Sequence, residues 1–408
     1  MTFRSRTTIY VISISLFLFN CESKKTEVVQ YIDVPTLHKS GEPNLLHSSD
    51  GHLYLSWIDT DSEGLSSLKF SKFENNAWSV PVLIASGSNW FVNWADFPEI
   101  RDFGNGNLVT HYLEKSAEDT YAYNVMLKIS NSNGDQWNDA FSPHNDKTPT
   151  EHGFVSKVAF TETSFMAAWL DGRQYAYAEE DTTLVKQMSL RAAEIDTNGN
   201  IKTEYLIDER VCDCCQTDMT MTKEGPMVVY RDRSDDEIRD IYYSRFVDHS
   251  WSSPAVIYDD NWKIPGCPVN GPAISSKENT VAVVWFTLNN DRPFVKLAFS
   301  TDSGQSFNAP VSLGFINPLG RVDVELISPE TALISWLDKV DGKTAIQLQK
   351  IGRNGDMGEV FTLSETSEER SSGFPKMVIG DDTAYFAWTE VGEQTQVRTA
   401  MVKLDNIK

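Results

Sequence analysis

Seven times in this chain a large aromatic closes an apolar run: Trp57, Tyr112, Trp169, Tyr230, Trp285, Trp336 and Trp388, spaced 51 to 61 residues apart. A strand marked by Pro or Gly precedes the run ("EPNLLHS", "FPEIRDF", "GFPKMVIG"), and an alternating strand follows it ("SLKFSKF", "NVMLKIS", "DIYYSRF", "AIQLQKI"). Cys267 to Leu313 shows the unit whole, as four short strands. Four strands per unit at a near-constant period specify radial repetition, with each unit a blade that buries its faces against its neighbours. The seventh unit, from Phe374, runs out after three strands at "VRTAMVKL", while "EVVQYIDVPT" near the start is a strand with no unit of its own. Pairing the two closes the ring and removes both exposed edges. The expectation is an all-β chain, a seven-bladed β-propeller closed by an N-terminal strand. It forms one domain over residues 28–408, with no helix of note and no linker.

The chain has 408 residues, of which 40% are apolar, enough for a large core. Its net charge of −22 argues against a nucleic-acid partner and for an exposed, monomeric domain. Arg4 and Arg6 precede "IYVISISLFLF", too short for a comfortable membrane span, so residues 1–20 read as a signal peptide. Leu18-Phe19-Asn20-Cys21 resembles a bacterial lipobox, which implies cleavage before Cys21 and a lipid on its thiol. Residues 21–27 are then a polar tether, and the protein sits on the bacterial cell envelope, at the outer membrane or periplasmic face. An ordinary secretory signal is the alternative.

Between the third and fourth strands of the unit at Cys267–Leu313 lies Ser300-Thr301-Asp302-Ser303-Gly304-Gln305-Ser306-Phe307, which fits S-x-D-x-G-x-x-[FW]. Ser130 to Trp137 repeats it with Ser in place of Asp. This motif resembles the Asp-box (BNR repeat) of sialidase-like β-propellers. Its sense is local: short polar side chains bond turn amides and Gly supplies a positive φ. Sialidase enzymes have six blades, so a six-bladed ring is the alternative count. The combination of "CDCC", "YRDRS" and "GCPVNGP" resembles exported bacterial lipoproteins of the same sialidase-like type.

In a propeller, the loop before each first strand and the loop after each second strand open on one face, around the channel. That face gathers Trp94, Asp96, His152, "RVCDCCQTD", Asn270 in "NWKIPGCPVNGP", Arg321 in "PLGRVDVE" and "EERSSGFPK" with "LDGRQ" and "YRDRSDDEIRD". A carboxylate two residues after the aromatic recurs in six units, at Asp59, Glu114, Asp171, Asp232, Asp338 and Glu390; unit five has Thr287. These acids either start the next turn or form a partial acidic ring. The family resemblance implies an arginine trio for a substrate carboxylate, a tyrosine–glutamate nucleophile and an aspartate acid. On this chain the substrate-binding candidates are Arg173, Arg231, Arg233, Arg321, Trp94 and Asn270. The catalytic candidates are Asp96, Asp171, Asp232 and Tyr230. Structural Arg–Asp networks are the competing reading. The first-blade arginine motif has no counterpart, since that strand reads Glu42-Pro43-Asn44-Leu45. Trp90, Trp94 and Trp262 offer sugar-stacking surface. The partner expected is a carbohydrate, anionic in class, either hydrolysed or only bound.

Cys212, Cys214, Cys215 and Cys267 fall on the leading loops of adjacent blades. Export favours two disulfides tying those loops. The alternatives are redox chemistry or a thiolate cage for copper or zinc, with His152 as a further ligand. No other cofactor is implied.

Overall fold

The computed structural model describes residues 28–36, 39–313 and 317–408. The signal peptide, Cys21 and the tether lie outside them. Seven antiparallel sheets succeed one another along the chain. Their first strands are Lys39–His47, Arg101–Asp102, His152–Thr161, Asp218–Thr222, Ala273–Lys277, Pro318–Ser328 and Lys376–Gly380. These pack against one another around a central channel, a cavity of about 310 Å³ whose walls include Arg101, Lys157, Asp218, Asp323, Glu325 and Lys376. Gln30–Ile32 pairs antiparallel with Thr395–Lys403, Tyr31 opposite Ala400, so the N-terminal strand completes the seventh blade. The ring is a seven-bladed propeller closed as the sequence requires.

The recurring aromatics form the spine of the blades. Trp57, Trp169, Trp285, Trp336 and Trp388 are all 2% exposed or less. A buried indole N–H must find an acceptor, and the recurring acids supply it. Trp57 donates to Asp59 (2.8 Å), Trp169 to Asp171 (2.8 Å) and Trp336 to Asp338 (3.2 Å). Blade five, where Thr287 replaces the acid, recruits Asp260 from the preceding loop instead, at 2.7 Å from the Trp285 indole. Three of the recurring acids thus serve the tryptophans of their own strands, as partners within a blade.

The turn at Ser300–Phe307 is built from its own side chains. Ser300 Oγ accepts the Gly304 N–H (2.9 Å), and Asp302 Oδ1 accepts the Ser306 N–H (3.0 Å). Gly304 has φ +81°, and a Cβ there would lie 2.5 Å from Met227 Sδ of blade four, so this turn requires glycine.

Two local expectations are corrected. Blade two has three strands, because its outer position keeps only a Leu127–Phe141 bridge while the Asn138 side chain takes the Ile129 N–H at 2.6 Å. The loop after Asp171 is an eight-residue helix, Arg173–Glu180. Its Ala, Gln and Glu content favours helix, and Asp171 accepts the N–H of its first residue.

A bulge recurs at the head of three first strands. Register shifts fall between Gly41 and Asn44, Gly153 and Ser156, and Gly320 and Asp323. Glu42, Phe154 and Arg321 sit in these bulges at φ +52°, +53° and +53°. Left-handed backbone costs an L-residue about 1–2 kcal/mol, so the ring spends strain at these three points.

Candidate functional site

One of these three residues faces a cleft. Between the last and first blades, a cavity of about 540 Å³ is lined by Glu42, Lys39, Trp90, Trp94 and Arg370, among others. Trp90 stacks on Tyr112 at 4.4 Å, over Gly87, where a Cβ would strike the indole at 2.4 Å. Trp94 stacks on Phe374 at 5.8 Å, with the Arg321 guanidinium 5.0 Å from its ring. The two indoles are therefore fixed, half-buried walls. Burial raises the Glu42 carboxyl to about 7, against the opposing pull of Lys39. A carboxyl poised there can give or take a proton at neutral pH. Aromatic walls, cationic side chains and one such carboxyl together suit a charged, ring-shaped ligand.

Of the sequence candidates, Trp94 and the stacking residue Trp90 line this cleft, and none of the proposed arginines or catalytic acids does. Arg231 is 1% exposed and donates to the carbonyls of Arg239, Asn270 (2.8 Å) and Phe286 (2.7 Å). Arg321 serves the carbonyls of Glu368, Glu369 and Gly373, each at 3.1 Å, and the Ser372 hydroxyl. Arg173 forks onto Asp171, with both bonds at 2.7 Å, and reaches Glu204. Arg233 is held by Glu237 and Asp213. These guanidinium groups brace loops, and the trio does not converge on a shared space. Asn270 is a strut as well, its Oδ1 accepting the Arg321 N–H at 2.8 Å.

Three of the catalytic candidates, Asp96, Asp171 and Tyr230, are enclosed, and Asp232 is half-buried. Asp171 has no exposed surface. Tyr230, also sealed, donates to Asp208 at 2.6 Å. Burial raises Asp232 to about 7, but it borders neither the cleft nor the channel cavity. Asp96 is 4% exposed; its Oδ1 accepts the Phe154 N–H at 2.8 Å and so pins the blade-three bulge. Its Oδ2 has no partner, and burial pushes the carboxyl up to about 8. The structure does hold a tyrosine–glutamate pair, Tyr123 donating to Glu151 at 2.7 Å. Phe91 stacks on the Tyr123 ring at 4.1 Å, and Tyr123 is 0% exposed, so it is sealed from a sugar.

Around His152, the rings of His144 and His152 stack at 3.8 Å, and both reach Asp146 Oδ2, at 2.9 and 3.2 Å. The other His152 nitrogen faces the Thr150 carbonyl at 3.1 Å, so the ring is turned to oxygens and does not join the thiols. The four cysteines are free thiols, with no disulfide among the described residues. The Sγ atoms of Cys212, Cys214 and Cys215 lie within 4.8 Å of one another. Sequence reasoning expected two disulfides tying these loops, which the described residues do not show. It passed over Glu42 and Arg370, whose available signals were a Gly-X pair at the head of a first strand and the "EERSSGFPK" loop.

No protein-family model and no curated protein matches this chain. Solved structures do. A protein of unknown function from Dyadobacter fermentans aligns with TM-score 0.54 and 11% identity, covering 94% of this chain and all of that one. An α-L-arabinanase from Penicillium chrysogenum, complexed with arabinobiose, aligns at 0.52 and 11%, covering 93% of this chain and 98% of that one. An α-L-arabinofuranosidase from Fusarium graminearum, bound to an iminosugar inhibitor, aligns at 0.52 and 15%, covering 94% and 99%. At these identities what the chains share is the fold, over nearly their whole length.

Proposed function

We propose that this protein binds an anionic glycan in the cleft between its last and first blades and hydrolyses it, with Glu42 as the acid. The observation that carries the reading is the cleft itself: Trp90 and Trp94 as walls, Lys39 and Arg370 as cations, and a strained Glu42 raised to about 7. Its volume of about 540 Å³ is of the size that encloses a small ligand. An arabinobiose-bound arabinanase and an iminosugar-bound arabinofuranosidase on the same fold support a glycan as the ligand class. Protonated Glu42 would donate to the departing glycosidic oxygen, a role worth about 10²–10⁴ in rate, while water bonds to the anomeric carbon and gives up its proton. In this reading the chain is a sialidase-like envelope lipoprotein, held to the membrane by a lipid on Cys21.

The test is a hydrolysis and binding screen on oligosaccharides ending in a uronate or a sialate. Turnover is expected to fall as pH rises through about 7, where Glu42 loses its proton. Glu42→Gln should bind and not turn over, and Arg370→Ala should weaken acidic glycans more than neutral ones. Binding without turnover in the native protein would leave a glycan-binding lipoprotein. Binding indifferent to Arg370→Ala would remove the cleft.

A further inference from the structure

The thiol cluster plays no part in the glycan cleft, and its surroundings point to a different ligand. Cys212 and Cys215 are buried, 1% and 2% exposed, with Sγ atoms 3.1 Å apart. Cys214 completes a triangle in which all three sulfurs lie within 4.8 Å. Metal–sulfur bonds of about 2.3 Å place ligand sulfurs about 3.8–4.0 Å apart in tetrahedral or trigonal geometry, within the span of the triangle, with the Cys212–Cys215 pair parting from 3.1 Å to admit the ion. The loop is rigid. Gln216 clamps it, with Oε1 accepting the Gly271 N–H (2.9 Å) and Nε2 donating to the Ala95 carbonyl (2.6 Å). Gly271 lies so close beneath that a Cβ would come 2.1 Å from the Gln216 carbonyl oxygen.

A second observation concerns charge. Arg239, 3% exposed, donates from Nη1 to Cys212 Sγ at 3.2 Å, while Nη2 is held by Glu237 at 2.8 Å. A buried guanidinium aimed at sulfur stabilises a thiolate and does little for a neutral disulfide. Thiolates are the donors that select soft d10 ions.

We propose that Cys212, Cys214 and Cys215 bind one thiophilic d10 cation, copper(I) or zinc(II), with Arg239 as a positioning residue. Each sulfur that still carries a proton gives it to solvent as its sulfur–metal bond forms, and no electron moves. Cys267, the exposed fourth cysteine, distinguishes the ions. Three thiolates suffice for copper(I), whereas structural zinc takes four ligands.

The full-length protein, reduced and kept anaerobic, is given one equivalent of copper(I) or zinc(II) against a competing chelator. Metal is counted after gel filtration, and thiols are titrated with and without the ion. One ion per chain, with at least three thiols protected, is the expected result. Arg239→Lys should lower affinity about 10–100-fold. Cys267→Ser that keeps copper(I) and loses zinc(II) assigns a three-thiolate copper site; loss of both assigns a four-thiolate site. Native protein that retains neither ion while its thiols are reduced overturns the proposal. So does isolated protein with no free thiol and no metal, which would mean two disulfides. Neither result touches the glycan cleft, and the native-protein measurements do not depend on any variant folding.

Discussion

Asp96 is a carboxyl that the fold keeps protonated. Burial raises it from 3.8 to about 8, while Oδ1 holds the Phe154 N–H. Between those values the folded chain keeps a proton that the unfolded chain has released, so stability falls as pH rises through the window and levels off above about 8. The slope for one proton is about 1.4 kcal/mol per pH unit. Over the window the loss is on the order of 5 kcal/mol. Asp96→Asn removes the titration and keeps the Oδ1 acceptor. Its amide leaves donors where Oδ2 lacked a partner, a cost of about 1–3 kcal/mol that does not vary with pH. The assay is the urea midpoint of native protein and variant at about pH 5 and about pH 8, with the m-value checked at each. The variant should be equal or weaker near pH 5 and gain on the native protein by about 4 kcal/mol on going to pH 8. Other raised carboxyls that do not act on Asp96, Glu42 and Glu325 among them, remain in both chains and cancel in the comparison. Parallel pH curves for the two chains would refute a protonated Asp96.

The blade-five substitution of partners gives a second expectation. Asp260→Ala strands the Trp285 indole and Lys296, a buried break worth about 3–5 kcal/mol. Adding Thr287→Asp should recover part of it, since Thr287 Oγ1 is buried without a partner and stands where Asp59, Asp171 and Asp338 do their work; thermal melts of the single and double variants read both steps. Deleting residues 28–33 removes the strand opposite Thr399, Ala400 and Met401 and bares the edge of Thr395–Lys403. Light scattering on warming should then show association before unfolding, and unchanged scattering would mean that closure rests on contacts between blades alone.

The ring was legible because its signals are local and repeated. An aromatic that ends each second strand and a polar turn with a positive-φ glycine recur whatever the loops do. The same repetition tied the acids to the blade, but the sequence offered a turn or an acidic ring and not the indole partners that Asp59, Asp171 and Asp338 serve. The arginines misled for a physical reason. Arg231 and Arg321 satisfy converging backbone carbonyls with the same fork of donors that would hold a substrate carboxylate, and sequence carries no record of which acceptor lies within reach. The helix at Arg173–Glu180 was hidden because it is one short segment inside a loop, below the length at which periodicity speaks. The thiols were brought together by loop order alone, but their state depended on Arg239, which nothing in the sequence places against Cys212.

Glu42 offers the sharpest separation of structure from function. Three bulged positions share one backbone conformation, and each pays about 1–2 kcal/mol for it. At Phe154 the cost is offset by a ring 7% exposed in the core, and at Arg321 by donors to three carbonyls. At Glu42 no such offset exists: the side chain enters a cleft, and its burial opposes its charge. Glycine adopts φ +52° without strain but gives up about 0.4–1 kcal/mol through its freer unfolded chain. Glu42→Gly should therefore leave stability within about 1 kcal/mol of the native protein, or above it. Phe154→Gly, with the same backbone relief, should still lose about 2–4 kcal/mol from its vacated core site. If Glu42→Gly is as damaging as Phe154→Gly in urea unfolding, the side chain is holding the bulge together and the strain has a structural purpose. If it is harmless and glycan turnover disappears, the strain is maintained for the carboxyl alone.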